Sequence, residues 1–198
     1  MSAVTIIQKL SQTFNPRLLV ALISIFAIFG TVVMISGGIW DALSHIREEP
    51  EFFWTIQHVA VYSGVAMTAS AAILGSLLII KKLADKNLQK GIKIVVIGSV
   101  IQIISGIGDS ISHDVFGIDG LVSLSHQPLE FGLVLCSLGG FLIIKSSNNK
   151  KLKKLVPFSI MALILAISWL GFNLSLLAGG TVLCLPFYEM FSSGCAIL

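Results

Sequence analysis

Five long apolar runs, at residues 18–40, 53–80, 91–111, 124–144 and 156–177, alternate with short polar segments. Each run reaches the roughly 20 residues that a helix needs to cross the hydrocarbon core of a bilayer. The expected fold is an all-α integral membrane protein of five transmembrane helices in a single membrane domain. A C-terminal tail at 178–198 follows the fifth run, and the loops are too short to hold a soluble domain. The first run is long for the apolar core of a signal peptide and has no small-x-small cleavage site, so it is expected to remain as a helix.

The charges sort by side. Of 13 Lys and Arg, all but Arg47 lie in the N-terminal segment, in the loop at 81–93 or in the loop at 145–154. These share one side if the five spans alternate, and the positive-inside rule makes that side cytoplasmic. The chain is thus expected in the cell membrane with its N-terminus cytoplasmic and its C-terminus extracytoplasmic. Nine of ten acids (Asp41, Glu48, Glu49, Glu51, Asp109, Asp114, Asp119, Glu130 and Glu189) fall on or near the outer side, leaving Asp85 inside. The net charge of +3 averages over a polarised molecule and gives no reason to expect nucleic acid. The basic loops are expected to face the lipid bilayer's anionic headgroups. Composition agrees: 12% of residues are charged and the mean hydropathy is +0.94, where a soluble domain carries about 25% charged residues.

A shift of 68 positions lays the chain over itself. It carries Asp41 onto Asp109, His45 onto His113 and His58 onto His126, with Gly30 onto Gly98, Gly38 onto Gly106 and Gly64 onto Gly132. Both copies run helix, outer loop, helix in the same direction, as parallel repeats related by an axis along the membrane normal do. Repeat one spans about 18–80 and repeat two about 86–144, forming a four-helix core of two hairpins with the fifth helix outside it. The small residues before each Asp are expected to let helices one and three approach closely.

The doubled Asp-x3-His-x12-His carries the chemistry. Asp41 and His45, like Asp109 and His113, stand four apart on one helix face. His58 and His126 are expected about one turn inside the following spans, level with those pairs. Two imidazoles and a carboxylate per hairpin form a ligand set for zinc, iron or copper, in one dinuclear or two mononuclear sites. A structural Asp–His network and heme ligation are the competing readings. All four histidines of the chain belong to the motif, and ionisable residues in a membrane are by default functional. Glu130, four residues after His126, is a further ligand, a supporting partner or a proton relay, and its counterpart in the first copy is Tyr62. Cys136 reads as a buried small hydrophobe, whereas Cys184 and Cys195 in the tail are candidates for a disulfide.

The motif DSISHDVFGIDGLVSLSH, with Asp109, His113, Gly117, Asp119, Ser125 and His126, resembles D-x3-H-x3-G-x-D…S-P-P-H of small multi-pass bacterial and archaeal membrane proteins. The resemblance covers roughly 37–130, departs at Leu124-Ser125 where the group has prolines, and supplies no reaction. The Lys/Asn/Ile-rich style, small size and outer-facing ligands are also similar to accessory subunits of the archaeal ammonia (copper membrane) monooxygenase. That similarity implies copper and partner membrane subunits. Three function classes follow: a metal-holding subunit of a larger oxidase or monooxygenase, a stand-alone intramembrane metalloenzyme, and a metal transport or delivery protein. The first is preferred. No nucleophile is evident for an enzyme, and no ionisable residue marks a path to the cytoplasm for a transporter.

Overall fold

The computed structural model describes residues 15–47, 54–116 and 125–178, the side chains of His45, Ile46, His113 and Phe116 excepted. Among these residues six helices follow in order: α1 (Pro16–Ile46), α2 (Ile56–Ile80), α3 (Lys86–Phe116), α4 (His126–Ser146), the short α5 (Lys150–Lys153) and α6 (Val156–Ala178). All but α5 are long and apolar enough to cross a membrane, and no strand occurs among the described residues.

Side-chain caps set several helix starts. The Asn15 Oδ1 accepts from the backbone N–H of Arg17 at 3.0 Å, and Asp85 accepts from those of Asn87 and Leu88 at 2.9 Å each. Pro16 opens α1, where its missing N–H costs nothing. Helices α1 and α3 have 31 residues each and are therefore about 46 Å long at 1.5 Å per residue. They run past the ends of the apolar stretches at 40 and 111, and both Asp41 and Asp109 lie within helix.

Glycine sets how closely the helices pair. A Cβ on Gly98 would stand 2.7 Å from the Gly132 carbonyl oxygen, and one on Gly30 would stand 2.8 Å from that of Gly64. Backbones this close leave no room for a side chain, the packing mode small residues permit in membranes. Helix α1 accordingly packs most extensively on α2, and α3 on α4, with thinner contacts between α2 and α3 and between α1 and α4. The small residues before the aspartates serve other partners than expected. Gly37 faces Val61 of α2, Gly38 faces Trp169 of α6 and Gly106 faces Tyr62 of α2, so these positions do not bring α1 and α3 together.

Aliphatic side chains fill the end of the bundle that carries the basic residues, among them Ile23, Ala71, Leu78, Ile92, Val95 and Ile143. A second cluster, including Met34, Val65, Leu129, Leu133 and Ala166, supports the opposite end. Between them lies a polar level. Thr68 donates to the Gln102 Oε1 at 2.7 Å, and the Gln102 Nε2 donates to the Met34 Sδ at 3.2 Å.

Candidate metal centre

Each hairpin places one imidazole against one carboxylate. The His58 Nε2 lies 3.7 Å from the Asp41 Oδ1, and the His126 Nε2 lies 3.1 Å from the Asp109 Oδ1. The two pairs have equal sequence intervals, 58 − 41 = 126 − 109 = 17. All four side chains are mostly buried. His58 is the third residue of α2 and His126 the first of α4, so both sit at the helix entrance instead of a turn inside. Asp41 lies just past the apolar stretch of α1 and Asp109 within the last residues of that of α3, and both face these entrances.

The two entrances are built differently. Thr55 caps α2, accepting from the His58 backbone N–H at 3.5 Å. Ser125 occupies the matching place before α4 but makes no side-chain cap bond. Its hydroxyl donates instead to the Asp109 Oδ1 at 2.7 Å. Tyr62 approaches Asp109 from α2, its hydroxyl 3.2 Å from the Oδ2 and 3.3 Å from the Gly106 carbonyl oxygen. Asp109, only 1% exposed, is thus gripped by Ser125, Tyr62 and His126.

Asp41, His58, Tyr62, Asp109, His126 and Glu130 all line one cavity of about 40 Å³. A water needs about 10–15 Å³ by this measure, so the space has room for a small ion with a water. Glu130 is 6% exposed, and its Oε2 has no hydrogen-bond partner among the described residues. The same holds for the Gln57 Oε1 and both side-chain polar atoms of Gln127. Buried polar atoms left without partners cost free energy, and Glu130 holds one at this cavity.

Met34, Val61, Leu129, Leu133, Gly38 and Trp169 form the rest of the wall. Trp169 comes from α6, which packs on α4 and α1, so the fifth span contributes to the site, a role its apolar sequence does not announce. A lone Trp inside an apolar span is the signal, because a buried indole N–H usually seeks a partner.

Six of the expected site residues are therefore brought together. His45 and His113 lie on α1 and α3, but their side chains fall outside the described residues, as do Cys184 and Cys195. Cys136 is buried with a free thiol. Among the described residues, no group of three or more His, Cys, Asp or Glu side chains stands in metal-holding geometry. Compared with protein families, curated proteins and solved structures, the chain matches none.

Proposed function

We propose that this cavity binds a transition metal at the junction of two parallel helical-hairpin repeats. The observation that carries the reading is the unpartnered Glu130 Oε2, buried in a cavity that two carboxylate–imidazole pairs also line. A cation there would neutralise buried carboxylates and give the orphan oxygen a partner to coordinate. His58, His126, Asp41 and Glu130 would hold it. Asp109 would orient His126, the supporting role that carboxylates play toward metal-binding imidazoles. Bound, the metal would supply Lewis-acid or redox chemistry.

The repeat reading is supported by matched contacts. Asp41–His58 corresponds to Asp109–His126, and Gly30–Gly64 to Gly98–Gly132, each displaced by 68 positions. The two arms are not equal. Asp109, with three partners, has the closure of a structural network, whereas Glu130 does not. Tyr62 stands where repeat two has Glu130, so one hairpin supplies an acid that the other lacks.

Within this reading the chain is a metal-holding membrane subunit, with copper the metal favoured by the similarity above and zinc or iron served by the same donors. Its N-terminus is cytoplasmic and its site faces outward, next to partner membrane subunits of an oxidase or monooxygenase. The test is native purification without chelator, followed by metal analysis and identification of co-purifying chains. About one metal per chain, lost in His58→Ala and His126→Ala, supports the site. Metal-free wild-type protein that is folded and rebinds neither copper nor zinc overturns it.

A further inference from the structure

A second cavity, of about 380 Å³, lies between α2 and α3. Tyr62 lines both cavities, so a single side chain separates this groove from the carboxylate–imidazole cluster. Trp54, Ile103, Ile107 and Ile111 shape the groove and are exposed on the bundle surface. In a bilayer, this wall faces hydrocarbon. None of the lining residues carries a charge, so a charged occupant would find no counter-ion in a medium where unpaired charge is costly.

One polar group in the groove is out of place. Ser24, Ser63, Ser70, Ser105, Ser146 and Ser175 each return their hydroxyl to the carbonyl four residues earlier, the usual way a membrane helix hides a serine. Ser110 does not. The Tyr62 hydroxyl stands 3.3 Å from the carbonyl four residues earlier, that of Gly106. The Ser110 hydroxyl makes no hydrogen bond among the described residues. An open hydroxyl beside hydrocarbon is unfavourable until something bonds to it.

The geometry points to a binding site for a neutral, single-chain amphiphile that enters sideways from the bilayer. Its alkyl or isoprenoid chain lies along Ile103, Ile107 and Trp54, and its hydroxyl or carbonyl head bonds Ser110 beside Tyr62. The volume lies in the range of small-molecule sites. The head is then one side chain away from Asp109, while binding itself requires no metal.

The test uses the full chain in lipid nanodiscs and a diazirine-bearing decanol, with labelled residues mapped by mass spectrometry. Saturable labelling within 103–111 and at Trp54, displaced by excess 1-decanol but not by decane, is expected. Ser110→Ala should weaken apparent affinity by about three- to tenfold, the contribution of one hydrogen bond. Ile107→Trp should abolish labelling by filling the groove. Ser110→Ala removes one lipid-side oxygen and decides the matter if Ile107→Trp fails to fold. Labelling spread evenly over every lipid-facing helix, equal competition by decane, or unchanged affinity in Ser110→Ala overturns the proposal. Metal content measured on the same samples judges the metal site separately.

Discussion

Gln102 donates its side-chain amide to the thioether of Met34, two residues separated by 68 positions. The same interval relates Asp41 to Asp109 and His58 to His126. On the repeat reading proposed above these are matched positions, and Met34 faces not its like but an amide. Thr68 reaches the same Gln102 oxygen at 2.7 Å, and Cys136, its counterpart 68 positions on, lies 3.6 Å from it.

Gln102→Leu should therefore cost only about 1 kcal/mol, in line with interhelical hydrogen bonds in membrane bundles. The Thr68 hydroxyl keeps the Val65 carbonyl as an acceptor at 2.9 Å. Gln102→Glu, which buries a carboxylate, should cost several-fold more. Unfolding in mixed micelles with rising denaturing detergent checks the order.

Gly30→Ala and Gly98→Ala should destabilise to a similar extent, about 1–3 kcal/mol each, because the new methyl meets backbone on the facing helix. Gly108 and Gly171 have open space where a Cβ would go. Alanine there should be neutral or stabilising by up to about 1 kcal/mol, the difference in helix propensity. Equal costs at Gly30 and Gly98, with none at Gly171, are the pattern to look for in the same assay.

Thr55→Ala and Ser125→Ala should separate capping from site support. Thr55→Ala loses an N-cap and should cost about 1 kcal/mol of stability. Ser125→Ala loses no cap, so stability should change less. Its effect should appear instead as weaker metal retention, about 10-fold, because Asp109 loses a 2.7 Å partner and steadies His126 less well. Titration with a competing chelator measures this.

Metal occupancy should fall as pH falls. Imidazole and carboxylate bind metal in their deprotonated forms, so binding releases protons and acid reverses it. Glu130→Gln should retain the fold, lower affinity by about 10–100-fold and flatten the pH dependence, since one competing proton site is gone. A pH series of metal content on both proteins checks the slope.

The placement in the membrane has its own test. In a background with Cys184 and Cys195 changed to Ser, Glu48→Cys should react with an impermeant maleimide on whole cells and Lys150→Cys should not. The reverse result inverts the topology and, with it, the compartment argument for a Cys184–Cys195 disulfide.

The sequence pattern revealed the five helices long and apolar enough to cross a membrane, because a run of about 20 apolar residues matches the thickness of a bilayer's hydrocarbon core. It also pointed to Asp41 with His45 and Asp109 with His113, and set His58 and His126 level with them, because identical polar spacing in an apolar chain is conspicuous; the contacts Asp41–His58 and Asp109–His126 came from the structure. Helix lengths were less legible. Polar residues such as Ser112, Asp114 and Lys86 continue a helix at no cost once it leaves hydrocarbon, so hydropathy stops before the helix does. Trp169 and Met34 were not legible as cavity walls, since apolar residues in a span look alike until packing assigns them a face. Ser110 was hidden for a different reason. Its setting depends on Tyr62, 48 positions away, standing beside the Gly106 carbonyl.

The uneven packing of the helices has a mechanical consequence. Glycine lets α1 settle on α2 and α3 settle on α4 almost backbone to backbone, while contacts between the two pairs are thinner and partly polar. Such a molecule behaves as two stiff plates joined along a softer seam. The cavity holding Asp41 and His58 on one plate and Asp109, His126 and Glu130 on the other straddles that seam. Whatever occupies it acts as a rivet, and a push on either plate is felt first there.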